Sequence, residues 1–186
     1  MKPRHILLAM TIVAIWGVNF AIIKLGLRHV SPLALGVMRF FLAAVPWIFF
    51  IPRPNVPLRM IVAYSFMIFA LQFGFLFTGM AVGMSAGLAS LILQLQVFFT
   101  IGLSMVVLGE RPTLWQLAGA VLAFCGVGLV AFNVSGDVTL LGLVLLVAAA
   151  VSWGGGNVVS KRISQRSASV NVFGLVVWGA CSPCRR

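Results

Sequence analysis

Six long runs of mostly apolar residues follow one another along the chain, at 6–27, 32–51, 60–82, 86–109, 113–132 and 140–159, and a shorter seventh occupies 170–180. The hydrocarbon core of a bilayer is about 30 Å thick and is crossed by about 20 helical residues, so each of the six can span it. Lipid offers no hydrogen-bond partner to a peptide group, which leaves helices or a closed barrel as spanning structures. The alternating pattern of barrel strands is missing. The predicted fold is therefore all-α, a polytopic transmembrane helical bundle with six complete spans and a partial seventh. A soluble globule is excluded, because 62% of the 186 residues are hydrophobic and only 8% are charged, too little polar surface to cover one.

The connections are short and carry helix breakers: Ser31-Pro32, the Pro52 to Pro57 run, Gly83 to Gly87, Arg111-Pro112 and Ser135-Gly136-Asp137. Neighbouring spans are thus expected to be antiparallel. Thirteen Lys and Arg against Glu110 and Asp137 give a net charge of +11. They sit at span ends and form no stripe interleaved with exposed aromatics, which points to lipid headgroups and topology and not to nucleic acid. With a cytoplasmic N terminus the inner side collects Lys2, Arg4, Arg53, Arg59, Arg111, Lys161, Arg162 and Arg166, while the outer side keeps Lys24 and Arg28. The positive-inside rule then predicts a multi-pass chain with its N terminus inside. The opening Met1-Lys2-Pro3-Arg4-His5 is like that of a signal peptide, but the run behind it is too long and reads as an uncleaved first span.

A weak internal repeat links the first and sixth runs. Trp16-Gly17-Val18-Asn19, with Lys24 further on, is echoed by Trp153-Gly154-Gly155-Gly156-Asn157 with Lys161 at the same distance from its Trp. The sixth run lies five crossings on from the first, an odd number, so the second copy runs through the membrane in the opposite direction, the arrangement of inverted-repeat transporters. Chance similarity between two glycine-rich helices is the plain alternative.

Arg39 is the costliest residue, since a charge at its depth costs roughly 2 to 4 kcal/mol unless it meets water or a partner. Two roles are open to it: snorkelling or bonding to a carbonyl, or anchoring an anionic group through two parallel hydrogen bonds. Asn19, Gln72, Gln94 and Gln96, with Thr78, Ser90, Thr100 and Ser104, are the other polar groups at depth. Singly each can bond helices together, and as a set they outline a polar centre for a small hydrophilic solute, with Trp16 as a wall. Gln94 and Gln96 are two apart and project to different faces. Glu110 closes the fourth run, either paired with a nearby basic residue or serving in gating or coupling. No acidic residue lies deep in a span.

Enzymatic readings fail on chemistry. Gly83-Met84-Ser85-Ala86-Gly87 has the outline of a serine nucleophile motif, but it falls in a turn, and His5 and His29 sit at span ends out of reach. Glycines 79, 83 and 87 are better read as letting helices approach closely. Cys125 reads as a small packing residue inside a span, and Cys181-Ser182-Pro183-Cys184 lacks the second ligand pair of a metal site. The chain is therefore expected to have no catalytic residues, no metal site and no cofactor.

Taken in order, Trp16-Gly17-Val18-Asn19, Met38-Arg39-Phe40, Ala86-Gly87-Leu88-Ala89-Ser90 with Gln94 and Gln96, and Leu108-Gly109-Glu110-Arg111 resemble the EamA family of the drug/metabolite transporter superfamily. The resemblance runs from about residue 6 to residue 180. It implies ten helices in two inverted five-helix repeats, with a substrate path between them, in the bacterial inner membrane. Residues 6–132 correspond to the first repeat and 140–180 to the start of the second, while the basic ending 181–186 departs from the pattern and suggests a truncated chain. The implied activity is export of small amino-acid metabolites, of the O-acetylserine or cysteine kind, by alternating access. In that reading Arg39 holds a carboxylate, and Asn19, Gln72, Gln94 and Gln96 supply hydrogen bonds. The competing expectation is a membrane scaffold or regulatory fragment that pairs with a second transporter half or with another copy of itself.

Overall fold

The computed structural model describes residues 3–48, 56–133 and 139–166. Every regular element among them is helical. We label these α1 (Pro3–Gly26), α2 (Pro32–Ile48), α3 (Leu58–Ala81), α4 (Ala86–Leu108), α5 (Leu114–Asn133) and α6 (Leu140–Arg166). Four stretches are long and apolar enough to cross a membrane: His5–Gly26, Leu58–Ala81, Ala86–Leu108 and Leu140–Gln165. Pro32–Ala43 and Leu114–Leu129 are shorter apolar helices. The expected seventh run and the Cys181 to Arg186 ending lie outside the described residues.

The helix ends follow from local chemistry. α1 and α2 each open on proline, whose fixed φ and missing N–H suit the first helical position. Ser85 caps α4 by accepting the Leu88 N–H at 3.3 Å, so the serine of the nucleophile-like motif serves as an N-cap. Thr113 and Gln116 form a reciprocal capping box at the start of α5, with bonds of 2.8 and 3.3 Å. Gly83 and Gly109 adopt φ of 119° and 70°, a region where a side chain is strained. α6 runs on past residue 159, where its apolar run ends, because Lys161 and Arg162 find partners at the end of α4.

Two helices are irregular at depth. Between its α-helical ends, α3 contains a π-helical segment, Phe66–Gln72. α4 is broken at Gln94 and Leu95, where the amides of Gln94, Leu95, Val97 and Phe98 bond three residues back, to Leu91, Ile92, Gln94 and Leu95. Such departures in the middle of a helix often mark functional positions.

α6 is the element on which α3 and α4 pack. The main core joins Phe20 and Ile23 of α1, Leu76, Phe77 and Met80 of α3, Ile92 and Leu93 of α4, and Leu146, Ala149 and Ala150 of α6. Ile61, Tyr64 and Ile163 form a second cluster at the opposite end. The outward faces are apolar as well: Trp115 is 87% exposed and Val106 85%, a surface that suits lipid or further helices and not water. Cys125 lies on this exposed side, which corrects its reading as a packing residue.

Close approach depends on particular glycines. A Cβ on Gly79 would meet Gly142 O and Leu146 Cγ at 3.3 Å, so α3 and α6 touch there. Gly87 has nothing within 4 Å and Gly83 serves the turn, so of the expected glycine series only Gly79 brings helices together. The closest approach to backbone is at Gly154, where a Cβ would stand 3.0 Å from the Thr100 nitrogen and from Phe99 Cβ. Backbone cannot move aside as a side chain can. Gly154→Ala should therefore lower the Tm of the detergent-solubilised protein, by about 1–3 kcal/mol of overpacking. Gly102→Ala, where the space is open, should leave Tm unchanged or higher, and equal effects of the two would remove this account of the α4–α6 contact.

Candidate functional site

The two Trp-Gly copies meet. The Trp16 and Trp153 rings stack with centroids 5.4 Å apart and 25° between planes, a contact worth about 0.5–1.5 kcal/mol beyond the area it buries. Lys24, near the end of α1, donates to Met80 O at 2.7 Å and Met84 O at 2.8 Å. Thr139, just before α6, donates to Val82 O at 3.1 Å. The end of α1 and the start of α6 thus share one end of the bundle, and the two helices run in opposite directions. Lys161 reaches the other end, 2.6 Å from Glu110.

Asn19 lies three residues beyond Trp16 and Asn157 four beyond Trp153, an axial step of about 5 Å in each case. Because the helices are antiparallel, the two asparagines fall on opposite sides of the stacked rings. On the Lys24 side, Arg39 Nη1 donates to Asn19 Oδ1 at 2.9 Å, and the guanidinium lies 5.3 Å from the Phe73 ring centre. Phe40 contacts Phe69 and Phe73 edge-on at 4.8 Å and so holds the aromatic face in position. Arg39 is half-buried and bonds across to α1 instead of taking a main-chain carbonyl. No acidic group among the described residues reaches it, since Glu110 is held by Lys161 at the bundle end. It is a cation with donor capacity to spare.

On the Lys161 side, Asn157 Nδ2 donates to Gln96 Oε1 at 2.8 Å and Thr100 Oγ1 at 3.1 Å. Thr100 Oγ1 itself donates to Gln96 O at 2.7 Å. The Gly154-Gly155-Gly156 run lets α6 come close enough for this reach, since Gly156 abuts Ile68 and Gly155 abuts Met67 of the π-helical segment. Gln72 ends that segment and is 3% exposed.

The expected site residues therefore separate. Arg39 with Asn19, and Gln96 with its new partners, flank the Trp16 ring. Gln94 stands apart: it faces an apolar cleft of about 240 Å³ between α4 and α5, lined by Leu91, Phe98, Ala123 and Val127. Glu110 pairs with Lys161 of α6, far along the chain, while Arg162 Nη2 donates to Val107 O at 2.8 Å. Trp153 and Asn157 were legible in advance as the counterparts of Trp16 and Asn19 in the internal repeat. Their bonding partners were not.

A family model for the EamA-like transporter family matches residues 3–132. The chain belongs to the EamA-like transporter family. It is 47% identical over 185 residues to a probable amino-acid metabolite efflux pump of Salmonella typhimurium, and 46% identical over 185 residues to a protein of the same description from Escherichia coli. Both alignments cover 98% of this chain and 62% of the relative. An uncharacterized transporter of Bacillus subtilis, YvbV, is 30% identical over 176 residues, 91% of this chain and 57% of that protein. The chain thus spans less than two thirds of the length of these relatives. No solved structure matches it. As a member of this family with several long apolar helices, it is a multi-pass membrane protein.

The Glu110–Lys161 pair has side chains 41% and 45% exposed, and exposed pairs contribute about 0.2–1 kcal/mol. A double-mutant cycle with Glu110→Gln and Lys161→Met should return a coupling in that range that shrinks as salt is raised. A coupling that is large and insensitive to salt would contradict the exposed geometry.

Proposed function

We propose that this EamA-type protein works as an efflux carrier for small amino-acid metabolites, of the O-acetylserine or cysteine kind, in the bacterial inner membrane. The N terminus is cytoplasmic in this reading, since Arg59, Arg111, Lys161 and Arg162 gather at one end of the bundle and Lys24 and Arg28 at the other. α1 and α6 begin two inverted repeats, and alternating access comes from rocking of one against the other. Binding and rocking involve no covalent chemistry.

The observation that carries the proposal is the Arg39 guanidinium held inside the helix bundle by Asn19 with no carboxylate from the described protein beside it. Such a cation favours a ligand that brings the missing anion, and the α-carboxylate of an amino-acid metabolite fits the planar fork. Gln72, buried on α3, and Gln96 supply further hydrogen bonds, Trp16 walls the path, and Gln94 enters only if α4 rotates. Glu110 with Lys161 forms a polar closure at the cytoplasmic end.

A second reading, a scaffold that pairs with another transporter half, draws on the apolar outward faces of α5, where Trp115 and Leu122 are exposed. Proteoliposome counterflow with labelled O-acetylserine separates the two. The carrier reading expects exchange by the chain, reduced about ten- to hundredfold by Arg39→Ala, the range for one charge-assisted contact, with partial recovery in Arg39→Lys. Undiminished exchange in Arg39→Ala removes the site assignment. Absence of exchange together with stoichiometric co-purification of a second membrane protein favours the scaffold.

A further inference from the structure

α1 packs on α4 and on the end of α3, whereas α6 packs on α3 and α4, and α1 and α6 share no extended packing. The stacked Trp16 and Trp153 rings are what joins them at mid-depth. Two polar clusters lie on either side of that bridge, Arg39 with Asn19 toward Lys24 and Asn157 with Gln96 and Thr100 toward Lys161. They differ in kind. The first carries a positive charge, while the second is uncharged and offers acceptors in Gln96 Oε1 and Thr100 Oγ1. The broken turn of α4 and the π-helical segment of α3 border the second cluster through Gln96 and through the glycines of α6. The bonds Asn157 makes in it are side chain to side chain, so they can be exchanged for bonds to a solute without unwinding a helix.

From this juxtaposition we infer that Asn157, Gln96 and Thr100 form a second binding station, taking the ammonium or hydroxyl end of the solute, and that the Trp16–Trp153 stack is the barrier between it and the Arg39 station. The inference rests on the carrier reading above. A solute then moves from one station to the other when the rings part, and the ring contact closes the path behind it. Stacked aromatic faces suit that task, because they separate without leaving an unsatisfied polar group in the membrane.

The full-length chain, with Cys125, Cys181 and Cys184 changed to Ala, tests both parts in right-side-out and inside-out vesicles. Single cysteines are placed on the Lys24 side (Asn19→Cys or Ile23→Cys) and on the Lys161 side (Thr100→Cys or Ser104→Cys). A membrane-impermeant maleimide is then applied to each face. Sites on the two sides should label from opposite faces, and adding Trp16→Ala or Trp153→Ala should abolish that preference. Two positions on each side guard against one variant that fails to fold. Equal labelling from both faces with the indoles present, or a preference that survives their removal, overturns the barrier. O-Acetylserine should slow labelling at Thr100→Cys, and Asn157→Leu should remove this protection while leaving protection at Ile23→Cys. Protection at Ile23→Cys without any at Thr100→Cys overturns the second station alone, and protection at neither removes the station together with the carrier reading.

Discussion

The close passage of α6 between α3 and α4 is the constraint on which the rest of the bundle depends. Gly154, Gly155 and Gly156 present almost no side-chain bulk there, and their neighbours are the Phe99–Thr100 backbone on one side and Met67 and Ile68 on the other. In lipid the hydrophobic effect does not draw helices together, so dispersion between closely fitted surfaces has to do so. The same passage carries Asn157 to Gln96 and Thr100, and it sets Trp153 opposite Trp16. Packing and the polar centre are one feature seen from two sides.

The bundle ends are organised by a different interaction. Lys24 donates to Met80 O at the end of α3, and Arg162 donates to Val107 O at the end of α4. Both cations thus meet carbonyls that the helices themselves leave unpaired, where the helix dipole is also favourable to positive charge. Each lies on a helix carrying one of the two Trp-Gly copies. The inverted relation of those copies therefore reappears in what their basic residues do, since Lys24 and Lys161 each join their own helix to a neighbour at opposite ends of the molecule.

Placing polar groups inside such a bundle is costly, and the structure distributes the cost unevenly. The Asn157 cluster is satisfied within itself. Arg39 spends one donor on Asn19 and keeps its charge unneutralised by any described side chain. In the carrier reading, a solute carboxylate supplies the contact that the guanidinium lacks. The aromatic ring of Phe73 beside the guanidinium lessens the penalty without satisfying it.

The sequence by itself determined where most helices begin and end, whereas the reach of α6 past residue 159 depends on partners at the end of α4. Apolar run length, the prolines at 32 and 57, Ser85, Thr113 with Gln116, and the left-handed Gly109 all act within one turn of chain, so their effects are readable without knowing any neighbour. It also separated the basic residues into two sets by counting spans, and it marked Trp153 and Asn157 through the repeat. Only the tertiary structure decided which side of each helix faces inward. α1 and α5 are apolar nearly all round, and a helix without a polar face gives no signal of its orientation in the bundle. That is why Gln94 and Gln96 part company, why Glu110 finds Lys161, and why Arg39 turns to Asn19. The π-helical segment of α3 belongs to the same class, since it lies where Gly155 and Gly156 of α6 abut Met67 and Ile68.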